Sequence, residues 1–257
     1  MASLKLIRKR RASVKNTQKV TKAMKLVAAA KLRRAQQSAL ASRSYIDALT
    51  GIVGRVASSM DAESAPMLMR PAQSQRSLLV LLSSDRGLCG GFNENLVRAA
   101  NDWLKQQKQV GIETDVMVLG RKGIAAFTRL KITAEKRAEV LPENNPEEIV
   151  KILAPALTER FVNGNVGKII IAYNRFISAG RQQIVFEQLL PFETKKAAAN
   201  FGVEYLYEPE REAVLTSLIE QAFTGFIRQA FLDSRASELA SRMQAMDNAT
   251  KNAQDMI

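Results

Sequence analysis

Residues 4–56 contain no proline, and their first glycine is Gly51. Alanine, lysine, leucine, arginine and glutamine dominate this stretch, and all of them lose little freedom in a helix. Alternating steps of three and four residues from Leu4 visit Ile7, Arg11, Val14, Gln18, Thr21, Lys25, Ala28, Leu32, Ala35, Ala39, Ser42, Ile46, Leu49, Val53 and Val56. Eleven of these sixteen positions are apolar, so the stretch reads as one long helix with a heptad-like seam. At about 1.5 Å per residue it spans roughly 80 Å. A compact domain of this chain's size is narrower than that, so the helix must project from it.

A second such segment closes the chain. Residues 210–257 follow Pro209, contain no proline and hold a single glycine, Gly225. Their apolar positions include Val214, Leu215, Leu218, Ile219, Ala222, Phe223, Phe226, Ile227, Ala230 and Phe231, and thin to Leu239, Met243, Met246, Ala249 and Ala253. A helix with one apolar stripe is unstable alone. The two terminal helices are therefore expected to cover each other as an antiparallel coiled coil.

The middle of the chain has a different rhythm. Ser58-Ser59, Pro66 and Pro71 interrupt the periodicity between 57 and 76. Buried strands are expected over 77–83, 115–120 and 168–176, and a fourth from Ile184 to Leu190, stopped by Pro191. Helices are expected over 93–109, 121–130 and 146–162, the last opened by the cap-and-N1 pair Asn145-Pro146. Strand–helix alternation predicts an α/β fold with a mostly parallel sheet. The expected units are residues 1–57 (N-terminal helix), 76–192 (a small Rossmann-like α/β domain) and 210–257 (C-terminal helix, paired with 1–57).

Several functions are disfavoured by what the 257 residues contain. Histidine is absent, which removes the commonest general base and metal ligand. The single cysteine, Cys89, excludes an internal disulfide and makes a zinc site improbable on composition. Without histidine, Cys89 reads as a structural thiol. No apolar run reaches the length of a membrane span. The net charge of +13 suggests nucleic acid at first sight. Residues 1–46, however, hold 13 Lys and Arg and no acid, while the rest holds 25 basic and 25 acidic residues. A basic coiled-coil nucleic-acid-binding protein remains the alternative reading, weakened because no aromatic precedes Tyr45.

"SSDRGLCGGFNENL", residues 83–96, follows a strand and opens a helix, where many folds cradle phosphate. A Walker loop needs Lys-Ser/Thr after its last glycine, but Phe92 and Asn93 stand there. Gly87, Gly90 and Gly91 do not supply the dinucleotide spacing either. A tight turn that also docks a neighbour, through Asp85 and Arg86, is the expectation.

Four segments carry a resemblance. Residues 7–36, "IRKRRASVKNTQKVTKAMKLVAAAKLRRAQ", closely resemble the N-terminal helix of the gamma subunit of rotary ATP synthases. "SDRGLCGGFN" (84–93) resembles that family's core loop, "YLYEP" (205–209) the segment before its last helix, and "ASELASRMQAMDNAT" (236–250) that helix. The resemblance implies a central rotor shaft, one copy per complex, that mechanically couples rotation of a membrane c ring to ATP synthesis or hydrolysis on a 3:3 ring of alpha and beta subunits. It implies no catalytic residue, cofactor, metal or nucleic acid in this chain. Its partners would be alpha and beta, epsilon and the c ring, at the cytoplasmic face of a bacterial inner membrane, peripheral to it. A transit peptide would not hold a seam in register to Val56, which favours a bacterial member.

By the same resemblance, Lys22, Met24, Lys25, Lys31, Arg33, Arg34, Arg242, Met243 and Met246 would face the alpha/beta ring. Arg43, Ser44, Tyr45, Tyr205, Tyr207 and Glu208 would face the c ring and epsilon. The polar seam positions Arg11, Gln18 and Lys25 are expected to touch the surrounding subunits rather than only the partner helix. Family members run about 30 residues, roughly 45 Å of helix, past the position of Ile257, so the sequence is expected to lack that extreme C-terminal segment.

Overall fold

The computed structural model describes residues 4–57, 65–72, 74–138, 140–143, 145–193, 207–208 and 210–257. Helix α1 runs Leu4–Ala57, 54 residues and about 81 Å. After a short 3-10 turn at Met67–Met69 come β1 (Ser77–Leu82), α2 (Phe92–Gln109), β2 (Thr114–Leu119) and α3 (Arg121–Arg129). They are followed by β3 (Glu135–Ala138), α4 (Pro146–Val162), β4 (Lys168–Ser178), β5 (Arg181–Leu190) and α5 (Arg211–Asp255).

The five strands form one sheet in the order β3-β2-β1-β4-β5. The pairs β1/β2, β1/β4 and β2/β3 are parallel, and β4/β5 is an antiparallel hairpin. All six residues of β1 are buried, because the central strand is covered on both faces. One face packs Leu79, Leu81, Val116, Val118, Ile170 and Ala172 against Leu96, Val97 and Ala100 of α2 and Phe127 of α3. The other packs Leu78, Val80, Leu82, Met117, Ile169 and Ile171 against α4 and against Ile219, Phe223, Ile227 and Phe231 of α5.

Helix α5 is therefore more than an arm. Its first half is a layer of the α/β domain as well as half of a coiled coil, which explains why its apolar residues crowd between Val214 and Phe231 and thin afterwards. Strand β3 carries Glu135-Lys136-Arg137-Ala138 and no apolar run, so the sequence pattern gave no strand there. Charged residues on a short edge strand discourage unwanted pairing.

Helices α1 and α5 are antiparallel. Gln18 Nε2 donates to Gln254 Oε1 at 2.5 Å, Thr250 Oγ1 to Thr21 Oγ1 at 2.8 Å, and Lys25 Nζ lies 2.6 Å from Asp247 Oδ1. Further along, Gln229 Nε2 donates to the Ala39 carbonyl at 3.2 Å and Arg211 Nη2 to the Val56 carbonyl at 3.3 Å. Partners advance along α1 as they recede along α5. Thr21, Ala28, Leu32, Ala39, Ile46, Leu49, Val53 and Val56 are buried, all on the seam read from the sequence. Two of its polar positions also pair within the chain. Gln18 and Lys25 are satisfied by the partner helix itself, through Gln254 and Asp247. Arg11 is exposed, as are Leu4 at 65% and Ile7 at 55%, because this stretch of α1 runs beyond the α5 residues that pair with Gln18.

Candidate functional site

The loop after β1 directs its polar groups inward. Ser83 Oγ donates to the Leu119 carbonyl at 2.7 Å and accepts from Gly123 N at 2.8 Å, pinning α3 to the end of β1. Asn93 Oδ1 accepts from Ser84 N at 3.0 Å, and Asn93 Nδ2 lies 3.3 Å from Cys89 Sγ. Asp85 accepts from Arg121 N at 3.1 Å and from Leu141 N at 2.7 Å, so it ties three loops together rather than waiting for a partner. Gly90 has φ +57°, the left-handed conformation the turn requires, and a methyl group there would lie 3.7 Å from Ala245 Cβ. Arg242 Nη2 donates to the Gly87 carbonyl at 3.2 Å. The glycine loop is thus a turn that docks against α5. Burial, first, and then the nearby Glu238 carboxylate push the Cys89 thiol above its ordinary pKa, which makes it a poor nucleophile.

In open α/β sheets ligands enter at the C-terminal ends of strands where the order reverses, here beside β1 and β4. A cavity of about 120 Å³ lies elsewhere, between the C-terminal end of β1, the segments that follow β2 and β3, and α5. It is lined by Asp85, Glu143 and Glu238 as well as Arg86, Arg121 and Arg235. Glu238, 2% exposed, is ion-paired with Arg242 and lies 2.5 Å from Arg235 Nη1. Glu143 receives Arg86 at 3.0 Å, Lys31 at 3.4 Å and Arg235 at 3.7 Å. The hydrogen bond from Lys31, with the neighbouring charge, holds the Glu143 carboxyl below the usual range. The arrangement neutralises charge between α1, α5 and two loops. Three carboxylates balance the three arginines, so the cavity offers a phosphate no excess of positive charge. Among the described residues no group of three or more His, Cys, Asp or Glu side chains could hold a metal ion, and no helix is long and apolar enough to cross a membrane.

The residues expected to face partners fall into distinct groups. Lys22, Arg33 and Arg34 are exposed on α1. Lys25 and Lys31 are part-exposed but already paired, with Asp247 and Glu143. Met24 is half-buried on the wall of a groove of about 400 Å³ that also holds Val27, Leu88, Leu239 and Arg242. Leu88 is 64% exposed, so this rim is apolar and open. Met246 is buried at 5% exposure and Arg242 at 9%, so both act from inside the chain, while Met243 is half-buried.

At the other end, Ser44 and Glu208 are exposed, and Tyr45 is 50% exposed with its hydroxyl 3.5 Å from Gln221 Oε1. The Arg211 guanidinium stands 5.5 Å from the centre of the Tyr207 ring, a cation–π contact near the start of α5. Tyr205 lies outside the described residues. Arg43 differs from the outward expectation, because its guanidinium turns to Asp233 at 2.8 Å and to the Phe176 carbonyl at 3.0 Å. Asp233 was not picked out from the sequence. Its signal was there, an acidic residue inside the apolar stripe between Ala230 and Ala236. Burial pushes its carboxyl above the usual range, although Gln229 and Arg43 pull the other way.

Residues 3–257 match the family model described as ATP synthase. The ATP synthase gamma chain of Geobacter sp. (strain M21) is 40% identical over all of this chain and 89% of its own length. That of Geobacter metallireducens is 41% identical with the same coverage. Among solved structures, the central stalk and c ring of the Tetrahymena thermophila mitochondrial ATP synthase superposes with a TM-score of 0.66 at 26% identity, over 90% of this chain and 99% of that one. A rotor chain of the Euglena gracilis mitochondrial ATP synthase has the same fold, with a TM-score of 0.63 at 18% identity over 98% of this chain and 92% of its own.

Proposed function

The chain belongs to the ATP synthase gamma chain family, and we propose that it is the rotating central shaft of a proton-translocating ATP synthase and performs no bond chemistry itself. The carrying observation is the antiparallel axle. Its two helices stay in register from Gln18–Gln254 to Arg211–Val56, and α5 is built into the sheet of the α/β domain. Torque applied to that domain passes into α5 through the packed core that they share. A single helix twists easily, whereas two helices interlocked along a seam resist it.

The domain end stands toward the membrane c ring and epsilon, with Tyr45, Ser44, Tyr207, Glu208 and Tyr205 supplying the contacts. Aromatic groups flanked by charge suit such an interface. The upper axle sits inside a ring of three alpha and three beta subunits. Lys22, Arg33 and Arg34 are its outward charges there, supported by Lys25 and Lys31, and Met24 with Leu88 forms its apolar contact. Arg242, Met243 and Met246 shape that surface from α5. Exposed basic residues guide an acidic partner surface more than they add affinity. The chain then works at the cytoplasmic face of a bacterial inner membrane, peripheral to it and in one copy per complex.

Co-purification with alpha and beta tests this. A complex with ATPase activity holding one copy of this chain per three alpha and three beta supports it, together with ATP-driven rotation of a bead on the α/β domain. Turnover of a substrate by this chain alone, or its exclusion from the assembled complex, overturns it.

A further inference from the structure

The chain links the α/β domain to the axle through the segments after Ala57 and before Arg211, both at one end of the axle. Near that end the domain also shares its core with α5 from Leu215 to Phe231. Apolar packing on α5 adds adhesion, but such packing is not directional. Directional contacts exist further up. Arg43 lies 14 residues, about 21 Å of helix, from Ala57. Its Nη2 bridges Asp233 Oδ1 at 2.8 Å on α5 and the Phe176 carbonyl at 3.0 Å on β4. Phe176, 2% exposed, inserts its ring among Leu32 of α1 and Ala236, Leu239 and Ala240 of α5. Ser237 Oγ on α5 donates to the Asn174 carbonyl of the same strand at 2.9 Å. The Asp233 side chain is 1% exposed. A buried ion pair adds little net stability over apolar packing, while it discriminates sharply between geometries.

We propose that Arg43, Asp233 and Phe176 form a joint that keys the α/β domain to both helices of the axle at a second point, so that torque passes without angular slip. The proposal rests on the rotor reading above. These are positioning residues. The joint adds a directional contact to the shared apolar packing, and the backbone carbonyl that Arg43 grips belongs to β4, next to the central strand of the sheet.

The test uses the complete complex with its alpha/beta ring fixed to a surface. A bead is attached through a cysteine introduced at Gly180, on the open turn between β4 and β5. The readout is the width of the bead's angular fluctuation at rest between rotary steps. Asp233→Asn, which keeps the shape but removes the charge holding Arg43, is expected to raise the mean-square fluctuation about two-fold or more. Arg43→Lys keeps a charge facing Asp233 but loses the planar fork that reaches both acceptors, and is expected to give a smaller rise. It decides the matter alone if the Asp233 variant does not assemble. Arg228→Gln breaks an exposed domain-to-axle pair, Arg228–Glu147, and is expected to leave the width unchanged. Unchanged fluctuation in both joint variants overturns the proposal, and so does equal broadening in Arg228→Gln. A wild-type bead that does not turn under ATP refutes the rotor reading instead.

Discussion

Gly225 is the one glycine of α5, and it faces Ile46 of α1. A methyl group added there would lie 2.1 Å from Ile46 Cδ1, whereas ordinary van der Waals contact begins near 3.4 Å. Ile46 is 4% exposed and has no solvent to swing into. Gly225→Ala therefore forces either a changed Ile46 rotamer or a parting of the helices, at about 1–3 kcal/mol. Better helix propensity returns about 0.8–1 kcal/mol. The expected net loss is about 1 kcal/mol, or roughly 2–4 °C in midpoint for a chain of this size. Ile46→Val removes the clashing carbon and alone costs about 0.5–1.5 kcal/mol. In that background the next atom, Ile46 Cγ1, lies 3.5 Å from the new methyl, an ordinary contact. Gly225→Ala should then stabilise, because only the propensity gain remains. Denaturant unfolding of the four purified full-length proteins measures the cycle. A coupling near zero, with alanine stabilising equally in both backgrounds, would refute the close helix crossing at this point.

Glu147 is held below the usual carboxylate range, mainly by the hydrogen bond from Arg228, so its contribution is present above the unfolded value and lost as pH falls through the folded one. Glu147→Gln should flatten the acid limb of the stability curve by well under about 1 kcal/mol, since the pair is exposed; a steeper limb in the variant would contradict the sign. Asp233 has the opposite sign. Its raised folded value means stability grows as pH falls through that value, and Asp233→Asn should remove that rise from a titration of unfolding midpoint against pH. Cys89 in the native protein should react with a thiol reagent about a hundred-fold slower than the unfolded chain, and equal rates would show that the loop is not closed. Replacing Lys22, Arg33 and Arg34 together with Glu should slow or uncouple ATP hydrolysis in the reconstituted complex, and full coupling would remove these residues from the interface.

The long elements were legible because each obeys one period over many residues. The α1 seam from Thr21 to Val56 and the buried run of β1 need no tertiary knowledge. Strand β3 was not legible, because an edge strand of four residues is held by pairing with β2 and not by its own composition. The double burial of α5 was only half legible. Its apolar excess between Val214 and Phe231 was plain, but periodicity does not say that one stripe meets α1 and the other meets the sheet.

The candidate site divides along the same line. Lys22 and Arg33, which the family resemblance singled out, are exposed and make no ion pair among the described residues. Charges that the fold uses cannot be picked out by composition. Lys25, Lys31, Arg43 and Arg242 look alike in a basic sequence, yet Asp247, Glu143, Asp233 and Glu238 claim one each. Asp247, Glu143 and Asp233 lie far along the chain from Lys25, Lys31 and Arg43, so no local window pairs them; only Glu238 lies one helical turn from its partner, Arg242. An acid within an apolar stripe is the useful local clue. Asp233 and Glu238 are buried in α5 between Ala230 and Ala240, and burial of a carboxylate demands a nearby cation. Glu238 finds its cations on its own helix, in Arg235 and Arg242, whereas Asp233 takes Arg43 from the basic helix that runs antiparallel to α5.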